Sequence, residues 1–272
     1  MKTSLNVDIF GHGTPIDQMI TKTARAGFDA VELAVTCDGP LTFESAQAEC
    51  VQIAKLAGRE GLEVSAITVE DCRDVNLAAS EPALRKAAYQ RIVTALDLAA
   101  WLGTDTVIIA PAVVGEPTSP QPEALYEDAY TLALEALLAL RFEGEQRAVH
   151  IACMGCRNRF LLSPLEMRDF IDRINSFWVS VSLNPANVLP WGYPEDWIRT
   201  LGHRIIRVHF DDVSLGVAGQ GEFRPLGDGD VNWSEVMTAL RQVPYAGPAT
   251  CRGRGNPSDA AARLAQMLRS AD

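Results

Sequence analysis

Residues 14–35, TPIDQMITKTARAGFDAVELAV, contain the unit whose reading decides the fold. Thr14 precedes Pro15, the order in which a capping hydroxyl stands before a proline at the first helical position. Apolar residues then recur at helical spacing through Pro15–Arg25, and Gly27 supplies the stop. Ala30–Val35 follows as a short apolar run, which predicts a strand buried on both faces.

The same unit recurs along the whole chain. The apolar runs are Leu5–Ile9, Ala30–Val35, Glu63–Thr68, Thr106–Ala110, Ala148–Cys153, Trp178–Leu183, Ile205–Phe210 and Gly247–Cys251. Helix-period stretches alternate with them: Pro15–Arg25, Phe43–Arg59, Ala83–Leu102, Glu123–Leu140, Pro164–Ile174, Glu195–Leu201, Ser234–Leu240 and Asp259–Leu268. Ser163-Pro164 repeats the capping signal, and Gly61, Gly103 and Gly202 repeat the stop. Strands alternating with helices are βα units with a parallel sheet, and eight of them make a closed barrel. The expectation is an α/β chain forming a single (β/α)8 TIM barrel domain over residues 1–272. Its longest irregular stretch, the Gly-rich 214–230, follows the seventh strand and is expected over the active face.

Composition narrows the partners. The chain has 272 residues, 47% hydrophobic and 22% charged, with a formal charge of −11. That balance argues against a nucleic-acid or anionic-membrane partner. No run of about 18 apolar residues is present to span a bilayer. No secretory leader is read at the start, so the six cysteines are expected as reduced thiols in a cytoplasm.

Several motifs carry a family resemblance. Ala26-Gly27-Phe28-Asp29-Ala30-Val31-Glu32-Leu33, Asn158-Arg159-Phe160-Leu161-Leu162-Ser163-Pro164, Gly192-Tyr193-Pro194-Glu195-Asp196-Trp197, Arg207-Val208-His209-Phe210 and Pro225 through Trp233 are the residues concerned. Together they resemble the sugar-phosphate isomerases/epimerases of the xylose-isomerase-like superfamily, over nearly the whole chain. The resemblance implies one divalent metal at the C-terminal mouth, held by Glu, Asp, His and Glu on strands five to eight. Here those positions fall on Met154, Asn184, His209 and Arg252. A thioether, a neutral amide and a fixed cation are poor ligands for a hard metal. The Lys that commonly follows the strand-seven His-Phe pair is Asp211. The expectation is therefore no metal and no cofactor.

Strand alternation names what should line the mouth. If Met154 faces inward, so do His150, Ala152 and Cys156. His209 brings Arg207 and Asp211, Arg252 brings Thr250, and Thr68 brings Glu70, while Glu32 matches a position that faces the family's pocket. Arg73, Arg157, Arg252 and Arg254 could ring an anion, Arg being suited to forked bonds with phosphate or carboxylate. The structural alternative is salt bridges with Glu70, Asp71, Asp74, Asp211 and Asp212. Glu70, Asp211 or His209 could act as base, against a vestigial imidazole hydrogen-bonded to a carboxylate. Cys156 beside Arg157 could be a nucleophile served by His209, against cysteine as buried filler. Met154, Arg157, Asn184, Arg252, Arg73 and Glu32 are the expected ligand contacts. His12 past strand one could touch substrate or simply sit in a turn. His150 and His203 are expected to be structural.

The leading expectation is a metal-independent derivative of the isomerase/epimerase barrel. It would bind a small polar or anionic molecule and move a proton on it. An engineered pocket on a natural barrel and a non-catalytic binding protein are the alternatives. Homo-oligomers are common in the family that the chain resembles.

Overall fold

In the computed structural model Gly27 ends the first helix as the sequence predicts. It adopts φ 91°, a left-handed conformation, and closes α1 (Ile16–Ala26) shortly before β2 (Ala30–Val35). The structure describes residues 1–11, 13–70, 75–116, 119–155, 157–216, 221–252 and 254–269. Among them β1 (Thr3–Asn6), β2, β3 (Glu63–Val69), β4 (Thr106–Ile109), β5 (His150–Met154), β6 (Val179–Leu183), β7 (Ile205–Phe210) and β10 (Ala249–Cys251) close a parallel barrel in that order. Around it run α1, α2 (Gln47–Arg59), α3 (Pro82–Leu102), α4 (Tyr126–Arg147), α5 (Pro164–Ile174), α7 (Pro194–Leu201), α8 (Trp233–Gln242) and α9 (Pro257–Arg269), with the short α6 (Pro185–Val188) after β6. No helix among the described residues is long and apolar enough to cross a membrane.

Alternate strand residues divide the core. Leu5, Val31, Leu33, Ile67, Val107, Cys153, Val181 and Phe210 pack outward with the helices. Inside the barrel, Ala66, Ile108, Ala152 and Met154 form a separate apolar cluster. The rest of the interior is polar: Ser4, Asn6, Glu32, Thr68, His209 and Thr250 are all fully buried.

Several element limits differ from the sequence reading. The first strand ends at Asn6 and not at Ile9, because the Asn6 side chain accepts from Asp8 N at 2.8 Å and turns Val7–Phe10 into a 3-10 helix. Thr14 does not cap α1. Its hydroxyl donates to Phe10 O at 2.7 Å, and Pro15 stands at the cap position. Ser163 does cap α5, accepting from Glu166 N at 3.2 Å. Ala148 takes a left-handed turn and delays β5 to His150, and α4 runs past Leu140 to Arg147. That extension depends on Gly144, where an added Cβ would stand 2.7 Å from Val149 O. Alanine would gain about 1 kcal/mol of helix propensity, yet the carbonyl is backbone and cannot swing away. Gly144→Ala is expected to destabilise the protein by about 1–3 kcal/mol, read as a lower urea midpoint with an unchanged slope.

The stretch 214–230 is not irregular throughout. β8 (Asp212–Ser214) pairs antiparallel with β9 (Glu222–Arg224) in a hairpin that leaves the end of β7. Asp212 pins its root. The buried carboxylate accepts from Val213 N (2.9 Å) and Val231 N (3.2 Å) on Oδ1, and from Gly227 N (2.8 Å) and Trp233 Nε1 (2.9 Å) on Oδ2.

Candidate active site

The C-terminal ends of β3, β5, β6, β7 and β10 surround a cavity of about 620 Å³. Glu70, Met154, Arg157, Asn184, Asp211, Arg252 and Arg254 line it, so most of the expected mouth residues converge. Arg73 and Cys156 lie outside the described residues, as do His12, Asp71, Cys72 and Asp74.

Beneath the cavity lies a buried hydrogen-bonded network. His209 Nε2 stands 2.9 and 3.1 Å from the two Glu32 oxygens, and both side chains are fully buried. Glu32 Oε1 also accepts from Asn6 Nδ2 at 2.6 Å and Thr68 Oγ1 at 2.7 Å. Burial by itself would raise the Glu32 pKa. The facing His209 ring, with the Thr68 and Asn6 hydrogen bonds, outweighs it and holds the carboxyl at about 2. Neither Glu32 nor His209 is among the residues that line the cavity.

One layer higher, Asn6 Nδ2 reaches Glu70 Oε1 at 3.5 Å, and Arg252 Nη2 donates to Glu70 Oε2. Burial raises the Glu70 pKa, with Asp8 and Glu32 adding to it and Arg252 opposing. Burial also raises that of Asp211, against Arg252, the Asn184 hydrogen bond and His209. Asn184 explains its own chemistry. Its Oδ1 caps α6, accepting from Ala186 N at 3.0 Å, while its Nδ2 donates to Asp211 Oδ2 at 3.3 Å. An aspartate could cap but could not donate.

Met154 sits 4% exposed on the apolar interior cluster. Arg157 Nη1 donates to Gly221 O at 2.8 Å, and its guanidinium lies 5.9 Å from the Phe223 ring centre, which draws β9 onto the cavity rim. Arg254 is exposed on the same rim.

Two inward-facing residues serve the other end of the barrel. Arg207 donates to Ser65 O and Asp105, and His150 packs 4.8 Å from the Phe177 ring. The Cys153 thiol points outward into the core, and burial pushes it up to about 12, which removes it as a nucleophile near neutral pH. Cys251 is likewise outward and buried. The sequence reading missed Asp8, Asn187 and Phe223 on the cavity wall, and Asn6 beneath it. Asn6 was within reach, because strand alternation from Ser4 places it inward.

The four positions at which the family resemblance implies a divalent metal present a thioether, an amide engaged with Asp211, an imidazole turned to Glu32, and a guanidinium. Among the described residues no three His, Cys, Asp or Glu side chains gather to hold a metal ion. This donor set does not fit one.

The model of the xylose isomerase-like TIM barrel family matches residues 20–271. An uncharacterized protein of Methanocaldococcus jannaschii is 22% identical over 229 residues, 83% of this chain and 75% of that protein. Similar solved structures include a D-tagatose 3-epimerase-like protein (TM-score 0.83, 19% identity, 100% of this chain and 98% of that one). An L-ribulose 3-epimerase gives TM-score 0.82 at 16% identity, covering 99% and 95%. A D-psicose 3-epimerase studied in the presence of D-fructose gives 0.77 at 20%, covering 100% and 96%. At these identities the structural matches establish the shared fold.

Proposed function

Because the chain belongs to the xylose isomerase-like TIM barrel family, we propose that its mouth cavity binds a small polar or anionic molecule and moves a proton on it without a metal ion. The observation that carries this reading is a pair of carboxylates, the largely buried Glu70 and the buried Asp211, lining one cavity with Arg252. Both are held above the ordinary carboxylate range by burial. A carboxylate so raised is a stronger base, and its acid form a ready proton donor.

Structural neighbours carry the names of sugar 3-epimerases, and epimerisation beside a carbonyl needs a proton removed and returned. In this reading Glu70 or Asp211 takes the proton from the carbon next to a carbonyl, and the other acid supplies one in return. Arg252 N–H groups stabilise the negative oxygen that develops. His209 and Glu32 act from below, holding Asn6 and Thr68 in place, and do not touch the ligand. Arg157 and Arg254 give the rim the charge to receive an anionic substituent. The setting is cytoplasmic.

The test is deuterium exchange. Protein stripped with a chelator is incubated in D2O with ketoses, ketose phosphates and keto-sugar acids, and incorporation next to the carbonyl is followed by NMR. Saturable exchange on one class, indifferent to chelator, is expected. Exchange that appears only after Mn, Co or Zn is added would overturn the metal-free reading. Binding without exchange on any class would leave a ligand-binding protein.

A further inference from the structure

We propose that the mouth cavity has a second subsite, a slot flanked by Phe10 and Phe223 that takes a planar apolar substituent of a ligand whose polar end meets Glu70 and Asp211. Both rings are half-buried and line the cavity. They come from opposite ends of the chain. Phe10 closes the 3-10 helix after β1, and Phe223 lies in β9, on the hairpin that leaves β7. The barrel order sets β10 between β1 and β7, so the rings flank the segment that follows β10. That segment contributes Arg254 and Gly255 to the same cavity, and Gly11 joins them beside Phe10. Gly11 and Gly255 have φ of 74° and 107°, values that call for glycine, so the wall there is bare backbone.

Each ring is held by a cation. Lys22 Nζ lies over the Phe10 ring, 5.6 Å from its centre. The Arg157 guanidinium lies over Phe223 at 5.9 Å, while its Nη1 donates to Gly221 O at 2.8 Å. Such contacts fix a ring in place, and a fixed ring gives up little freedom when a ligand stacks on it. The chemistry selects the occupant. Of the slot residues only Arg254 has a polar side chain. A polyol chain laid here would exchange water for too few hydrogen bonds. An aromatic ring would instead bury apolar surface against two phenyl groups. Arg254 does not oppose this, because a guanidinium also stacks on aromatic faces. Arg252 stands two residues before Arg254 and donates to Glu70, so the slot opens beside the acids and the two ends of one ligand are held together. The subsite rests on the reading of the mouth as a ligand site, and not on which acid moves the proton.

The experiment measures binding by calorimetry with probes that differ only at O1 of one ketose: 1-O-methyl-D-fructose, 1-O-benzyl-D-fructose and D-fructose 1-phosphate. Wild type is expected to bind the benzyl ether about tenfold more tightly than the methyl ether, and more tightly than the phosphate. Phe10→Ala and Phe223→Ala should each cut that preference by about threefold. Equal affinity for the two ethers, or a preference that survives both replacements, overturns the slot and leaves the proton-transfer reading standing. A phosphate bound more tightly than the benzyl ether assigns the place to an anion and overturns the slot as well. No binding of any probe removes the slot together with the reading it rests on. Should either variant fail to fold, the comparison of the probes on wild type still decides.

Discussion

His209→Leu is expected to lower stability by about 1–3 kcal/mol, the cost of leaving the buried Glu32 carboxylate without its imidazole partner. The loss arises at Glu32, whose carboxylate is fully buried and faces the ring at 2.9 and 3.1 Å. Asn6 and Thr68 would remain as hydrogen-bond donors, but neither reaches the second Glu32 oxygen. A second replacement, Glu32→Leu, should return part of the loss, since an apolar pair of similar volume needs no compensation. Urea unfolding at neutral pH reads both. A midpoint change worth less than about 1 kcal/mol for His209→Leu would show that the pair contributes little.

The same pair sets a pH signature. Glu32 titrates at about 2 in the folded protein against an ordinary value of 4.5. Its folded pKa is depressed, so its stabilising contribution is complete above pH 4.5 and is lost as pH falls toward 2. The gap corresponds to about 3 kcal/mol. Glu70 and Asp211 act with opposite sign. Their folded values are raised, so their protonation favours the folded chain as pH drops through those raised values toward the ordinary carboxylate range. Stability is expected to be greatest on the acid side of neutral, then to fall steeply below pH 4.5. In His209→Leu the steep fall should be absent.

Glu70→Gln and Asp211→Asn are each expected to slow proton exchange by about 10²–10⁴-fold, the usual contribution of a positioned acid or base. Both substitutions keep the shape, and the amide oxygen that Glu70→Gln introduces can still accept from Arg252, so the fold should survive. The loss should fall on kcat more than on KM if the two groups act on the transition state. The acid limb of the rate profile should also lose the ionisation of whichever group was removed. Changes below about threefold in both variants would take these carboxylates out of the chemistry. The wild-type profile should retain its limb in the presence of chelator.

The barrel was readable because its signals are local and redundant. Gly27, Gly103 and Ser163-Pro164 act through backbone conformation and capping within a few residues, and β7 falls on Ile205–Phe210 as expected. The family resemblance placed Met154, Asn184 and Arg252 at one mouth, and strand alternation added Glu70 and Asp211 to them. It failed where a side chain bends the chain. Asn6 ends β1 early and turns Asp8 onto the cavity wall, a choice no periodicity reports. Alternation gives a face but not a depth. His209 and Glu32 do face inward, yet they lie sealed beneath the cavity, while Arg207 and His150 emerge at the opposite end. Phe223 reaches the rim through a hairpin whose root is held by Asp212. One of the amides that this carboxylate recruits, Gly227 N, lies 15 residues further along the chain, a pairing that no local pattern announces.

That carboxylate has a consequence for how such a protein can change. Asp212 ties the hairpin's root to the chain near α8 through both oxygens, so the root is fixed independently of what the two short strands carry. Phe223, which β9 sets on the cavity wall, is thereby open to replacement, by selection or by design, to retailor what the cavity accepts while the barrel beneath stays untouched.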